Sequence, residues 1–105
     1  MDEHLVPTLP IVAKWAASKH RIRRVWLYGS RVNGTHRTDS DLDVCVQIDP
    51  LKTEEEKELV QGQQKIWRYE LSALCGMKVH LEPYATEQQK SFIAAGGELV
   101  YEREG

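Results

Sequence analysis

The chain has little of what would mark a secreted, membrane-bound or nucleic-acid-coating protein. Its two cysteines, Cys45 and Cys75, lie far apart without the spacing of a metal-ligand set. They are expected to be free, buried or half-buried thiols. No apolar run approaches membrane-spanning length. The amino terminus opens with Asp2 and Glu3, not with the basic start and apolar stretch of a signal peptide. Charge of one sign is also missing: 14 basic and 16 acidic side chains are mixed along the chain, for a formal net charge of -2. That excludes the concentrated basic face of a general nucleic-acid binder. A local basic cluster, Lys19, His20, Arg21, Arg23 and Arg24, reads as a solvated helix-to-strand turn. There is no repeat, low-complexity tract or linker. The expectation is a cytoplasmic protein with reduced thiols, folded as one domain over residues 1–105. A hydrophobic fraction of 41% with three tryptophans fits a folded core rather than a disordered chain.

What is present is concentrated in one stretch. The apolar run Val25-Trp26-Leu27-Tyr28 stops at Gly29-Ser30, and a polar loop then leads to Asp41-Leu42-Asp43 at the head of a second apolar run ending at Ile48. Alternate residues of a strand share a face, so Asp41 and Asp43 project side by side while Leu42 and Val44 turn inward. Two adjacent carboxylates repel unless a cation lies between them. A hard divalent ion such as magnesium, which prefers carboxylate and phosphate oxygens, meets that need. The Gly29-Ser30 turn supplies a complementary phosphate cradle through backbone N–H groups at a loop-to-helix junction. The plainer alternatives are a turn aspartate beside a solvent-facing one and an ordinary Gly-Ser turn. Asp is nonetheless a poor strand residue, and Asp43 runs directly into Val44, Cys45 and Val46.

Around this unit the periodicity predicts a first helix capped by Thr8, with Pro10 in its opening turn and Ile11, Val12, Trp15 and Ala16 as its apolar stripe. Strands are predicted over 23–28 and 42–48, with a helical turn at 30–32 and a polar loop at 34–40. Thr53-Glu54-Glu55-Glu56 is a capping box with acids in the first turn. It opens a long helix that stops at Gly76, with Leu59, Ile66, Trp67, Leu71 and Leu74 expected to be buried. A third strand spans 77–83, with Val79 and Leu81 on one face and His80 and Glu82 on the other. Thr86 caps a last short helix ending at Gly96-Gly97, and a final strand covers 99–101. This order suggests an α/β or α+β fold. Trp26, Tyr28 and Trp67 are read as core packing rather than as base-stacking groups.

The runs Gly29-Ser30-Arg31-Val32-Asn33-Gly34 and Asp39-Ser40-Asp41-Leu42-Asp43 resemble the signature of the nucleotidyltransferase superfamily that includes DNA polymerase beta, and in particular its minimal branch. The resemblance spans nearly the whole chain. It implies a small mixed β-sheet with helices packed on one face and the acids gathered at one edge of the exposed face. It implies Mg²⁺ held by Asp41 and Asp43, and ATP as nucleotide donor, with its phosphates at Gly29, Ser30 and Arg31. Many relatives carry Arg where Asn33 stands here. His36 and Arg37 are equally compatible with a solvated loop and a ligand contact, and Asp39 and Ser40 with ordering that loop. The superfamily adds a third carboxylate, usually in a Val-Asp-Leu-Val strand. This chain has Lys78-Val79-His80-Leu81-Glu82-Pro83, with His80 where the Asp would fall and Glu82 two residues on along the same face. Glu82 is the expected third catalytic acid. The alternatives are His80 as base, or weakened activity.

The resemblance implies transfer of a nucleoside monophosphate, AMP from ATP, onto a hydroxyl. A chain this short has little room for an acceptor-binding domain. Minimal members are often paired with a small helical HEPN-type toxin, which the antitoxin binds and adenylylates on a tyrosine. That pairing is the expected setting. Three alternatives remain at this point: a binding module that masks its partner without turnover, a stand-alone enzyme for a small alcohol or antibiotic, and a homodimer that completes its own cleft.

Overall fold

The computed structural model describes residues 3–34, 41–51, 53–85 and 87–103. Its elements run, after a 3-10 turn at Glu3–Leu5, as α1 (Thr8–Ala17), β1 (Ile22–Tyr28), α2 (Ser30–Asn33), β2 (Leu42–Ile48), α3 (Glu54–Cys75), β3 (Val79–Pro83), α4 (Glu87–Gly96) and β4 (Glu98–Glu102). The strands form one mixed sheet in the order β3-β2-β1-β4. β1 is antiparallel to both β2 and β4, whereas β2 and β3 run parallel, with α3 as the crossover that a parallel pair requires. The expected mixed sheet with helices is therefore present.

Alternation assigns the two faces. Val25 and Leu27 of β1, Leu42, Val44 and Val46 of β2, and Val79 and Leu81 of β3 point to one side and are buried there with Val12, Trp15 and Ala16 of α1 and Trp67 and Leu71 of α3. A register irregularity between Ile22 and Arg24 lets Ile22 join that core despite its odd offset from Val25. Trp15 and Trp67 meet edge to face, with centroids 6.0 Å apart and planes at 86°, joining the two helices above the sheet. α4 leans on the opposite face, where Phe92 lies beside Tyr28 of β1 with the two rings nearly parallel at 12°.

The capping residues behave unevenly. The Thr53 hydroxyl accepts a hydrogen bond from the Glu56 N–H at 3.1 Å, and Gly76 ends α3 with φ of 67°, both as expected. Thr8, in contrast, is not the cap of α1: Pro7 precedes the helix, and Thr8 is a buried residue of its first turn with no side-chain capping bond. Ile11 is also partly turned out. The expected buried stripe of α3 is half corrected. Trp67 and Leu71 are buried, with Val60, but Leu59, Ile66 and Leu74 are all more than half exposed. A helix resting on a sheet buries only a stripe of its circumference, and Trp67 and Leu71 already fill that stripe here. Thr86, at the start of α4, lies outside the described residues.

The basic turn is tied down by ion pairs: Lys19 to Glu70 at 3.0 Å, Arg24 to Glu102 at 2.8 Å and Arg21 to Glu56 at 3.9 Å. Such part-exposed pairs contribute about 0–1 kcal/mol each, so they order this turn more than they stabilise the fold. Cys45 is buried and Cys75 half-buried, both free. Among the described residues no helix is long and apolar enough to cross a membrane.

Candidate functional site

The face of the sheet opposite α1 and α3 carries the polar residues. The register lines them up in two rows: Tyr28, Asp43 and His80 are successive partners across β1, β2 and β3, and Trp26, Cys45 and Glu82 form the next row. Asp43 thus lies mid-sheet, and Asp41 lies two residues earlier, just ahead of β2. Both are partly exposed.

β1 ends at Gly29, whose φ of 83° and ψ of -160° turn the chain directly into α2. An L side chain rarely adopts that conformation. Space forbids one as well: a Cβ on Gly29 would stand 2.1 Å from Asp43 Oδ2 and 3.0 Å from Asp43 Cγ. The carboxylate of the second strand therefore lies directly over the bare backbone of the turn. Residues separated in the chain by the loop are brought into contact, and Ser30 opens α2 beside them. The first N–H groups of a helix have no intrahelical partner, so this corner presents backbone donors next to two acids.

The electrostatics call for a cation. Burial raises the Asp43 carboxyl above the ordinary aspartate range; His80 opposes that rise, and the negative charge of Asp41 adds to it. Burial likewise pushes the Tyr28 phenol up to about 12, reinforced by Asp43, Cys45 and Glu82 and opposed by a hydrogen bond from the Gln89 side chain. The Cys45 thiol is also pushed up to about 12, by burial and then by Glu82. Asp41, Asp43 and Glu82 thus share a partly desolvated face, on which His80 offsets part of the effect of burial on Asp43. Among the described residues no group of three or more His, Cys, Asp or Glu side chains is arranged to hold a metal ion. A divalent ion would take Asp41 and Asp43 from the protein and complete its shell with water and phosphate oxygens, as magnesium commonly does.

The other expected site residues fall into place unevenly. Arg31 is buried at 7% exposure and engaged within the protein, not standing out in solvent. Asn33 is exposed at the end of α2. Glu82 is not beside Asp43 but one row on. Its Oε1 is 2.8 Å from His80 Nε2, and it is His80 that stands opposite Asp43. His36, Arg37, Asp39 and Ser40 lie outside the described residues. A cleft of about 320 Å³ also opens between α2 and α4, running from Gly29 and Ser30 to Phe92, Ala95 and Gly96. A single phenylalanine in a short, weakly amphipathic helix carries no pattern that would have flagged it.

Comparison with known proteins agrees with this geometry. The family model "Polymerase beta, Nucleotidyltransferase" matches residues 12–105. No curated protein matches the chain. Among solved structures, a toxin-antitoxin complex with AMP-PNP superposes with a TM-score of 0.72 at 15% identity, covering 91% of this chain and 74% of that one. A mutant of a toxin-antitoxin complex designated MntA-HpeT gives 0.71 at 13% identity, again over 91% and 74%. A MntA-HepT toxin-antitoxin complex gives 0.66 at 12% identity, over 92% and 72%. At these identities the likeness is one of fold.

Proposed function

The chain belongs to the polymerase beta nucleotidyltransferase family, and from that premise we propose that it moves AMP from ATP onto a tyrosine hydroxyl of a helical, HEPN-type toxin, acting as its antitoxin in the cytoplasm. The observation that carries the reading is the contact of Asp43 with the bare backbone of Gly29. It joins a phosphate-binding corner to a carboxylate pair, which is the arrangement phosphoryl-group transfer requires.

In this mechanism Gly29 and Ser30 hold the triphosphate through backbone N–H groups and the Ser30 hydroxyl. Asp41 and Asp43 would hold Mg²⁺, which when bound offsets the charge of the triphosphate and favours in-line displacement. The acceptor oxygen forms a bond to the α-phosphorus, the bond to the bridging oxygen of pyrophosphate breaks, and the hydroxyl proton is lost to a base. The protein's part is positioning and electrostatics. Glu82, paired with His80 at 2.8 Å, is the acid that β3 adds to this face, and turnover is proposed to depend on that pair.

Two further observations support a protein acceptor. Leu59, Ile66 and Tyr69 stand out from α3 at 58%, 52% and 68% exposure, and exposed apolar side chains grouped on one face are characteristic of interaction surfaces. The structural neighbours are themselves toxin-antitoxin complexes, one of them with a nucleotide analogue.

Incubation with Mg²⁺, labelled ATP and the partner toxin should move label to the toxin, and Asp43→Asn should slow the transfer by about a hundredfold or more. Transfer at the parent rate by Asp43→Asn would remove the assigned mechanism. A second reading, a module that masks the toxin without turnover, is favoured by the engagement of Glu82 with His80. Tight toxin binding with no ATP binding in calorimetry would select it.

A further inference from the structure

The cleft between α2 and α4 has two chemically different ends. One is the polar corner of Gly29, Ser30 and Asn33; the other is the apolar surface of Phe92, Ala95 and Gly96 on α4, where the Asn33 side chain comes close to Gly96, and Tyr28 also lines the cleft. A nucleoside triphosphate has the same polarity, with charged phosphates at one end and a flat aromatic base at the other. We propose that this cleft is the base subsite of the nucleotide, with the Phe92 ring as its stacking platform. The inference rests on the nucleotidyltransferase reading and adds to it the residue that binds the base.

Three features carry the assignment. Phe92 is 48% exposed although its ring lies nearly parallel to Tyr28, at 12° with centroids 6.3 Å apart. The ring is thus supported on the protein side while half of it stays open to the cleft it lines. Tyr28 is buried and fixed by its place in β1, so the platform has a rigid base. α4 also buries none of its residues, which sets it apart from the core helices: Phe92 packs on Tyr28 with one side of its ring and leaves the rest in the cleft. The size agrees: about 320 Å³ lies at the lower end of small-ligand clefts. The phosphates would extend from it past Ser30 toward Asp41 and Asp43. Stacking on an aromatic ring is tolerant of base identity, so the subsite supplies affinity for a nucleobase rather than a choice among bases.

Calorimetry of the full chain with Mg²⁺ and either ATP or inorganic tripolyphosphate separates the base from the phosphates. ATP should bind about tenfold or more tighter than tripolyphosphate, as expected for one base–aromatic stack. Phe92→Ala should erase that difference while leaving tripolyphosphate binding unchanged, and Phe92→Tyr should keep it. Because the chain has a single phenylalanine, ring-labelled phenylalanine also gives an unambiguous NMR probe in the unaltered protein. Nuclear Overhauser contacts between the Phe92 ring and the adenine protons are expected. Equal loss of ATP and tripolyphosphate binding in Phe92→Ala, unchanged ATP binding in that variant, or bound ATP without contacts to Phe92 would each overturn the subsite and leave the nucleotidyltransferase reading standing. Binding of neither ligand by the unaltered protein would remove both.

Discussion

A methyl group at position 29 would have to stand where the Asp43 carboxylate already is. That makes Gly29 the residue at which fold and chemistry are hardest to separate, and a comparison with Gly76 separates them. Both glycines have positive φ, 83° and 67°, but nothing lies within 4 Å of a Cβ built on Gly76. Gly76→Ala should therefore cost only the backbone strain of its conformation, about 1 kcal/mol, with nucleotide transfer intact. Gly29→Ala carries a comparable backbone cost, about 1–3 kcal/mol, and in addition must displace Asp43 from the turn. Its transfer rate should fall as far as that of Asp43→Asn, by about a hundredfold or more. Urea unfolding and a transfer assay on the two variants check this. A Gly29→Ala protein of near-normal activity would mean that the Gly29–Asp43 contact is not part of the working site. The pair was legible in the sequence because a strand ending in Gly-Ser and an alternating Asp-x-Asp are both local patterns. That the two touch was not, because the loop between them hides the spacing, and only the antiparallel register of β1 and β2 brings Tyr28 and Gly29 alongside Asp43.

At the scale of elements, α3 shows what periodicity does and does not convey. Its limits were readable from local chemistry: the Thr53 hydroxyl receives the Glu56 N–H, and the helix stops at a left-handed Gly76. Thr53→Ala should lower stability by about 1 kcal/mol, seen as a lower urea midpoint with unchanged slope. No change in midpoint would show that the acids of the first turn, Glu54, Glu55 and Glu56, hold the helix start without the cap. The buried face was less readable, since α3 has apolar residues on two sides. Trp67 and Leu71 face the core with Val60, whereas Leu59 and Ile66 follow one another at heptad spacing on the outside. A one-dimensional pattern cannot say which of two apolar stripes meets the sheet. β3 repeats the lesson on a smaller scale. Alternation put His80 and Glu82 on one face, but the parallel register with β2 decides that His80, not Glu82, stands opposite Asp43. α4 was recognised as a helix; its place over Tyr28 was not legible, because it depends on the direction the chain takes after β3.

The sheet as a whole has one face sealed by α1 and α3 and the other given to Asp41, Asp43, His80 and Glu82, so each helix of the covering layer has its own outer surface turned to solvent. On α3 that surface includes Leu59, Ile66 and Tyr69, with the small residues Gly62 and Ala73 on the same stripe. Small residues between larger apolar ones allow another helix to approach closely, and a Cβ on Gly62 would meet nothing within 4 Å. A helical toxin seated there would cover apolar area that the chain by itself leaves in water. Ile66→Glu tests this, because the side chain is more than half exposed. The thermal midpoint of the variant should stay close to that of the parent, since exposed substitutions usually change stability by no more than about 0.5 kcal/mol. A charge placed at the centre of a helix–helix seam should weaken toxin binding at least tenfold, or about 1.4 kcal/mol. Gln61→Glu, which adds the same charge elsewhere on α3, should leave the affinity unchanged. Equal affinity of Ile66→Glu and the parent in a calorimetric titration would place the toxin on another surface, while an equal drop in both variants would point to general charge repulsion rather than to the stripe.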